Sequence, residues 1–386
     1  MKNTNSVLSG GGITIFEVMS RLAVEYGAVN LGQGFPDGNG PDDVRAKAQA
    51  FLADQPNQYP SAMGVADLRQ AVAAHDKRFY GLEIDPDREV LVTSGATEAL
   101  ASAFFGLIEP GDETIIFEPV YDSYAPIILR AGGTIRRIRL EPPHWDIPRK
   151  ELAAAVSSRT KLIVINSPTN PSGKVFNIDE LTFIADLAKQ HDTYVVCDEV
   201  YEHLVFDGRP HTPIMTLSGM RERCLKIGSA GKTFSLTGWK VGYITAAPHL
   251  LQAAAKAHQF LTFTTPPNLQ RAVAYGLNKD DSYFQSLTND MARKRDVLAA
   301  GLRDVGFEVF ATQGTYFICA DIRPLHTGLN DVEFCRELTI KGKVTAIPIS
   351  AFYETDGPQH FVRFAFCKED ETLSTAIARL KDYFKR

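Results

Sequence analysis

The sequence predicts an α/β protein: a large domain on a mostly parallel central sheet with helices on both faces, plus a smaller α+β domain. Three observations carry that prediction. Short apolar, β-rich runs recur at residues 90–93, 114–118, 162–166, 194–198, 224–228 and 241–246. Amphipathic stretches separate several of them, and strand–helix–strand repetition favours parallel pairing with helices covering the sheet. After about Pro266 the pattern changes to two helical stretches followed by β-rich segments.

Taken in order, the run at 90–93 ends in Ser94-Gly95-Ala96-Thr97, which opens a helix continuing through Leu107. The free amides and positive dipole end of a helix start hold phosphate well, and Gly95 lets backbone approach closely. The same small residues also make a plain strand-to-helix turn. The run at 114–118 leads to Tyr121, placed either to lie flat on an aromatic ligand or to pack on a helix. Asn170 follows the run at 162–166 in Thr-Asn-Pro-Ser-Gly, a turn sequence. Residues 178–190 are amphipathic, and Asn177 with Glu180 marks their start. The run at 194–198 sets Asp198 at the mouth of a buried strand, with Tyr201 three residues on. Beyond Pro266, residues 268–277 and 282–303 read as helical, and 306–321 and 343–366 as β-rich around a helix at 331–341. Arg363 is the one charge in the alternating run 361–366. It suits either bidentate capture of a carboxylate or a structural ion pair.

Composition excludes several classes. At 386 residues, 44% hydrophobic and 23% charged, the chain suits two closely packed globular domains. Lys plus Arg number 41 against 46 Asp plus Glu, and a net charge of -5 gives no general electrostatic reason to bind nucleic acid or an anionic membrane. The five cysteines show no CxxC pair or metal-ligand spacing, as expected of reduced thiols and no metal centre. With no signal-like start and no apolar run of about 20 residues, a cytoplasmic protein is expected.

The chemistry centres on residues 228–242, GSAGKTFSLTGWKVG, where Lys232 stands among small residues. A lysine amine with a pKa of about 10.4 becomes a nucleophile only if that pKa is lowered or the amine is stored as an imine. An imine needs an aldehyde, for which pyridoxal phosphate is the usual partner. Ser229 and Lys240 flank Lys232 with donors for a phosphate. A carboxylate such as Asp198 would keep a pyridinium protonated, and Tyr201 and Asn170 could hydrogen-bond the ring's phenolate oxygen. A nucleotide P-loop is disfavoured, because the glycine it needs five residues before Gly231 is Lys226.

Together with Asn30-Leu31-Gly32-Gln33-Gly34-Phe35-Pro36-Asp37 near the start, these residues resemble the class I and II aminotransferases, fold type I pyridoxal-phosphate enzymes. Within that family the likeness is to the methionine aminotransferase, kynurenine aminotransferase and glutamine transaminase K group. The resemblance implies that Lys232 holds pyridoxal 5'-phosphate and moves the substrate proton, that Asp198 pairs with the ring nitrogen, and that Tyr201 and Asn170 face the phenolate oxygen. It places Gly95, Ala96, Thr97, Ser229 and Lys240 at the phosphate and Tyr121 on the ring. Tyr59 would reach the phosphate of a partner subunit, so a homodimer with shared sites is implied. Arg363, with Gly34 and Asn170, would bind the substrate carboxylate, and Phe16, Phe35 and Phe263 would line the side-chain pocket.

The implied reaction moves an amino group from a neutral or aromatic amino acid to a 2-oxo acid in two half-reactions. Thr264 stands where a kynurenine aminotransferase would carry histidine, which favours the methionine type. A β-lyase acting on cysteine conjugates is the alternative chemistry, and a non-catalytic regulator is disfavoured by the short segment before Asn30. The expected domains are 1–40, an arm and part of the small domain; 41–280, the large cofactor-binding domain; and 281–386, the small C-terminal domain.

Overall fold

The computed structural model describes residue 2 and residues 4–9 and 12–385. Its largest sheet has seven strands: β1 (Val90–Thr93), β2 (Glu113–Glu118), β3 (Thr134–Arg139), β4 (Thr160–Asn166), β5 (Tyr194–Asp198), β6 (Cys224–Ser229) and β7 (Gly242–Ala246). Their spatial order is β1-β7-β6-β5-β4-β2-β3. Strands β6, β5, β4, β2 and β3 pair in parallel, and β7 is antiparallel to both of its neighbours. Strand β1 therefore points the same way as the parallel five, and the carboxyl ends of six strands lie along one rim.

Sequence reading found every strand of this sheet except β3. The missed strand reads TIRRIR and is an edge, with only Ile138 fully buried. The other strands are buried on both faces, as parallel sheets usually are. Ile115, Phe117, Ile163, Ile165, Val195 and Cys197 enter one core, while Ile116, Leu162, Val164 and Val196 enter the other, as a period of two requires. The helix Ile178–Gln190 covers the first face and begins at the expected Asn177, which forms a capping box with Glu180. The helices Gly95–Leu107 and Pro248–Leu261 cover the second.

The C-terminal region carries a four-stranded antiparallel sheet of β8 (Glu308–Val309), β9 (Phe317–Asp321), β10 (Ile347–Pro348) and β11 (Phe361–Ala365), in the order β10-β11-β9-β8. The helices Asp281–Val305 and Asp370–Phe384 pack beside it. The expected helix at 331–341 is present as Asp331–Glu337, continued by a wider π turn over Leu338–Gly342. The amino-terminal segment joins this region rather than the large sheet. Val29–Asn30 pairs in parallel with Val344–Thr345, and the Ala365 amide donates to the Leu31 carbonyl. Residues 30–34 are thereby carried to the strand that bears Arg363. No helix among the described residues is long and apolar enough to cross a membrane.

Candidate active site

A cavity of about 400 Å³ opens beyond the carboxyl ends of β1, β4, β5 and β6, where ligands of such sheets bind. Phe16, Gly34, Gly95, Ala96, Thr97, Tyr121, Asn170, Asp198, Tyr201, Ser229, Lys232, Lys240 and Arg363 all line it. Residues 34 and 363, far apart in sequence, reach one cavity because the amino-terminal segment is tied to the β11 sheet.

Lys232 lies in a one-turn helix, Ala230–Thr233, directly after β6. Its Nζ donates to the Tyr316 hydroxyl at 3.0 Å, and that hydroxyl donates to the Gly34 carbonyl at 2.5 Å. Burial disfavours the ammonium, and the positive charges of Arg363 and Lys240 add to this, so the Lys232 pKa lies below that of an ordinary lysine despite the opposing pull of Asp198. A lowered pKa favours the neutral amine, the form that attacks a carbonyl.

Asp198 ends β5 and is buried, with Oδ2 accepting a 2.5 Å hydrogen bond from Tyr124. Burial raises its pKa, a shift that the Tyr124 hydrogen bond only partly offsets. A carboxylate in that setting is short of a cationic partner. Beside it, Tyr201 is buried, and desolvation holds its phenol protonated. Its ring meets that of Tyr316 edge-on with centroids 5.1 Å apart.

Arg363 is 1% exposed. Its two terminal nitrogens donate to Asn170 Oδ1 and the Gly32 carbonyl, each at 2.7 Å, and its Nε has no partner. The guanidinium lies 3.9 Å from the Phe317 ring centroid and 5.3 Å from that of Phe16. No carboxylate among the described residues forms a salt bridge with it, and desolvation pushes its pKa down to about 10.. A buried cation without a counter-ion is costly to hold and favours an anion delivered from outside. Asn170 gives its amide oxygen to Arg363, and its backbone N–H is fixed by Asn166 Oδ1 at 2.7 Å. The Asn170 side-chain NH2 is left for the cavity.

At the far side, the helix Gly95–Leu107 points its amino terminus at the same space. Gly95 has φ +76°, and a Cβ on Gly242 would stand 2.6 Å from the Gly95 carbonyl carbon and 2.8 Å from the Ala96 nitrogen. Only glycine at 242 lets β7 lie against this loop. Lys240 rests beside Gly95, its Nζ 3.3 Å from where a Cβ on that glycine would sit. Backbone amides, Ser229 and an ammonium thus converge as a phosphate requires.

Three expected site residues lie outside the cavity of this chain. Tyr59 is 84% exposed and packs edge-on against Phe263, itself 39% exposed, with centroids 5.4 Å apart. Phe35 is 48% exposed, its ring 4.7 Å from the Lys368 ammonium. Conversely, the sequence reading missed Tyr316, Tyr124 and Asn166, which contact Lys232, Asp198 and Asn170. Tyr124 follows Tyr121 by three residues and opens the helix Tyr124–Arg130, with the two ring centroids 5.8 Å apart; Tyr316 carried no local cue.

The donor set fits pyridoxal phosphate: an amine of lowered pKa, a buried carboxylate lacking a cation, phenols held neutral, and a glycine-lined helix start beside an ammonium. Known proteins agree. The family model of aminotransferase class I and II matches residues 26–380. A probable N-succinyldiaminopimelate aminotransferase of Mycobacterium tuberculosis is 45% identical, over 95% of each chain. The solved structure of the N-succinyldiaminopimelate aminotransferase from that organism superposes with a TM-score of 0.96, covering 99% of this chain and 100% of that one. The methionine aminotransferase of Escherichia coli is 40% identical over 96% of each chain, and human kynurenine--oxoglutarate transaminase 1 is 39% identical over 94% of each. The chain belongs to the class I and II aminotransferases, enzymes whose cofactor is pyridoxal 5'-phosphate.

Proposed function

We propose that this aminotransferase takes the amino group from a neutral or aromatic L-amino acid of the methionine, phenylalanine or glutamine type and passes it to a 2-oxo acid in two alternating half-reactions. When bound, the cofactor supplies an aldehyde carbon for an amine and a protonated ring that accepts electrons from the substrate α-carbon. Lys232 would hold the cofactor through its Nζ, and the same nitrogen would carry the proton from the substrate α-carbon to the carbon that had been the cofactor's aldehyde. Asp198, oriented by Tyr124, keeps the ring nitrogen protonated, while Tyr201 and the Asn170 amide donate to the phenolate oxygen. Tyr121 stacks on the ring. Gly95, Ala96, Thr97, Ser229 and Lys240 hold the phosphate. Arg363, with Asn170 and Gly34, binds the α-carboxylate.

One observation carries the substrate class. Lys232 and Lys240 are taken by the cofactor in this reading, so among the described residues Arg363 is the one cation lining the cavity that is left for substrate, and Phe16 and Phe317 wall it. One cation serves the α-carboxylate, and the side chain meets aromatic surface. The 45% identity to the mycobacterial enzyme favours a second reading, N-succinyldiaminopimelate as amino donor.

Single-turnover absorbance of the holoenzyme with methionine, phenylalanine, glutamine and N-succinyldiaminopimelate separates the two. The neutral reading expects the largest rate constants from the first three, and a clear preference for the succinylated substrate would overturn it. Lys232→Ala removes both nucleophile and base and is expected to slow turnover by roughly 10⁴-fold or more.

The working unit in this reading is a homodimer, in which exposed Tyr59 reaches the partner's phosphate and Phe263 its substrate pocket. Residues 41–280 hold the cofactor, and 281–386 with 1–40 close the substrate side. Mixing inactive Lys232→Ala and Tyr59→Ala chains tests the sharing. Mixed dimers regain one intact site only if the two residues serve a site from different subunits.

A further inference from the structure

The helix Gly95–Leu107 runs antiparallel to Pro248–Leu261, since Glu98 meets His258 at one end and Gly106 meets Ala253 at the other. At Gly106 the helices touch backbone to backbone: a Cβ there would stand 2.6 Å from the Ala253 carbonyl. At the cavity end the link is polar. Glu98 Oε2 accepts from the Ser94 backbone amide at 2.9 Å and Oε1 from the Ser102 hydroxyl at 2.5 Å. The ring Nδ1 of His258, which is fully buried, lies 3.0 and 3.1 Å from the two carboxylate oxygens.

We propose that Glu98, locked by His258, is a positioning residue that aims the Ala96 and Thr97 amides at the cofactor phosphate. This rests on the reading that residues 94–97 take the phosphate. The first amides of a helix have no partner within it. Glu98 accepts from the Ser94 N–H, which fixes the Thr93–Ser94 peptide two and three residues before Ala96 and Thr97, both of which line the cavity. A carboxylate one turn from a phosphate would by itself repel it. His258 bridges both carboxylate oxygens from the side of the second helix and holds that charge away from the cavity. The pair thus sits behind the phosphate site, and neither residue lines the cavity.

Neither residue touches the cofactor in this arrangement, so the effect must appear on the phosphate alone. The measurement is the dissociation constant of the cofactor-stripped enzyme for pyridoxal 5'-phosphate and for pyridoxal, which has the aldehyde but no phosphate. Glu98→Ala is expected to weaken pyridoxal 5'-phosphate binding by about tenfold or more, the scale of one lost charge-assisted hydrogen bond, and to leave pyridoxal binding within about twofold. Glu98→Gln keeps one carbonyl oxygen for Ser94 and is expected to fall between, and it carries the test should Glu98→Ala not fold. His258→Asn moves in the same direction by less. Equal losses for both ligands, or no loss for either, overturn the proposal. Should the wild-type protein bind the two ligands equally well, the placement of the phosphate at residues 94–97 fails instead.

Discussion

Two cations, Arg363 and Lys226, are each 1% exposed, and they meet opposite fates. Lys226 projects from the middle of β6, and its Nζ lies 2.9 Å from both Asp76 and Glu202. Thr245 donates to Asp76, and Tyr80 and Tyr243 donate to Glu202. Burial works against the Lys226 charge, yet its two carboxylates outweigh burial and hold its pKa well above the lysine range. Arg363 has hydrogen bonds but no salt bridge to a carboxylate among the described residues, and burial dominates. Burial of a charge is therefore not what marks a binding site here. The missing counter-ion is.

The Lys226 cluster also shows a buried cation whose charge is met by two carboxylates. His75, Glu202 and His203 bring ligand atoms within 4.8 Å of one another, a spacing that suits a metal. Glu202 is already engaged by Lys226 and Tyr80, and His75 and His203 bond each other at 2.7 Å.

The largest expected effect comes from breaking the satisfied side. Lys226→Met leaves Asp76 and Glu202 buried and unneutralised, and should lower unfolding stability by about 3–5 kcal/mol while leaving KM for amino acid nearly unchanged. Urea and thermal unfolding of the holoenzyme check it, and an unchanged midpoint would mean that the cluster is not held by charge. The unsatisfied side should behave in reverse. Arg363→Leu is expected to cut kcat/KM for amino acids by about 100- to 1000-fold, the loss of a bidentate charged contact, with the melting temperature unchanged or raised. A fall in stability comparable to that of Lys226→Met would erase the contrast.

Asp198 gives a smaller effect of defined sign. Its folded pKa is raised by burial, so the folded apoenzyme holds a proton that the unfolded chain releases near pH 4. That contribution to stability is full below about pH 4 and is lost as pH rises through the raised folded value. Asp198→Asn apoenzyme should gain on wild type over that interval in a denaturation series, although the holoenzyme loses activity. The smallest effect concerns Lys232. Capture of pyridoxal 5'-phosphate by apoenzyme should quicken as pH rises and level off below about 10.4, where an ordinary lysine amine would still be gaining neutral form. A plateau at or above that pH would show that burial, with Arg363 and Lys240, does not lower the pKa of the Lys232 amine.

The parts legible in sequence share a local signal. Apolar runs of period two, capping pairs such as Asn177 with Glu180, and polar residues just past each run located six of seven strands and most of the cavity rim. Strand β3 escaped because its arginines hide the alternation at a solvated edge. Tyr316 escaped because its contacts, Lys232 and Gly34, lie 84 and 282 residues away.

What the sequence by itself determined is the inventory: a lysine, a strand-end aspartate, a glycine-rich helix start and a lone arginine in an apolar strand, each set by short-range pattern. Whether a given charge is spent or free was decided only in three dimensions. Lys226 and Arg363 both stand alone among apolar neighbours in their strands, and nothing local separates them. Asp76 reaches Lys226 across 150 residues, and no carboxylate among those described forms a salt bridge with Arg363. The cost of a buried charge depends on what the fold brings to it, and that is a property of long-range packing.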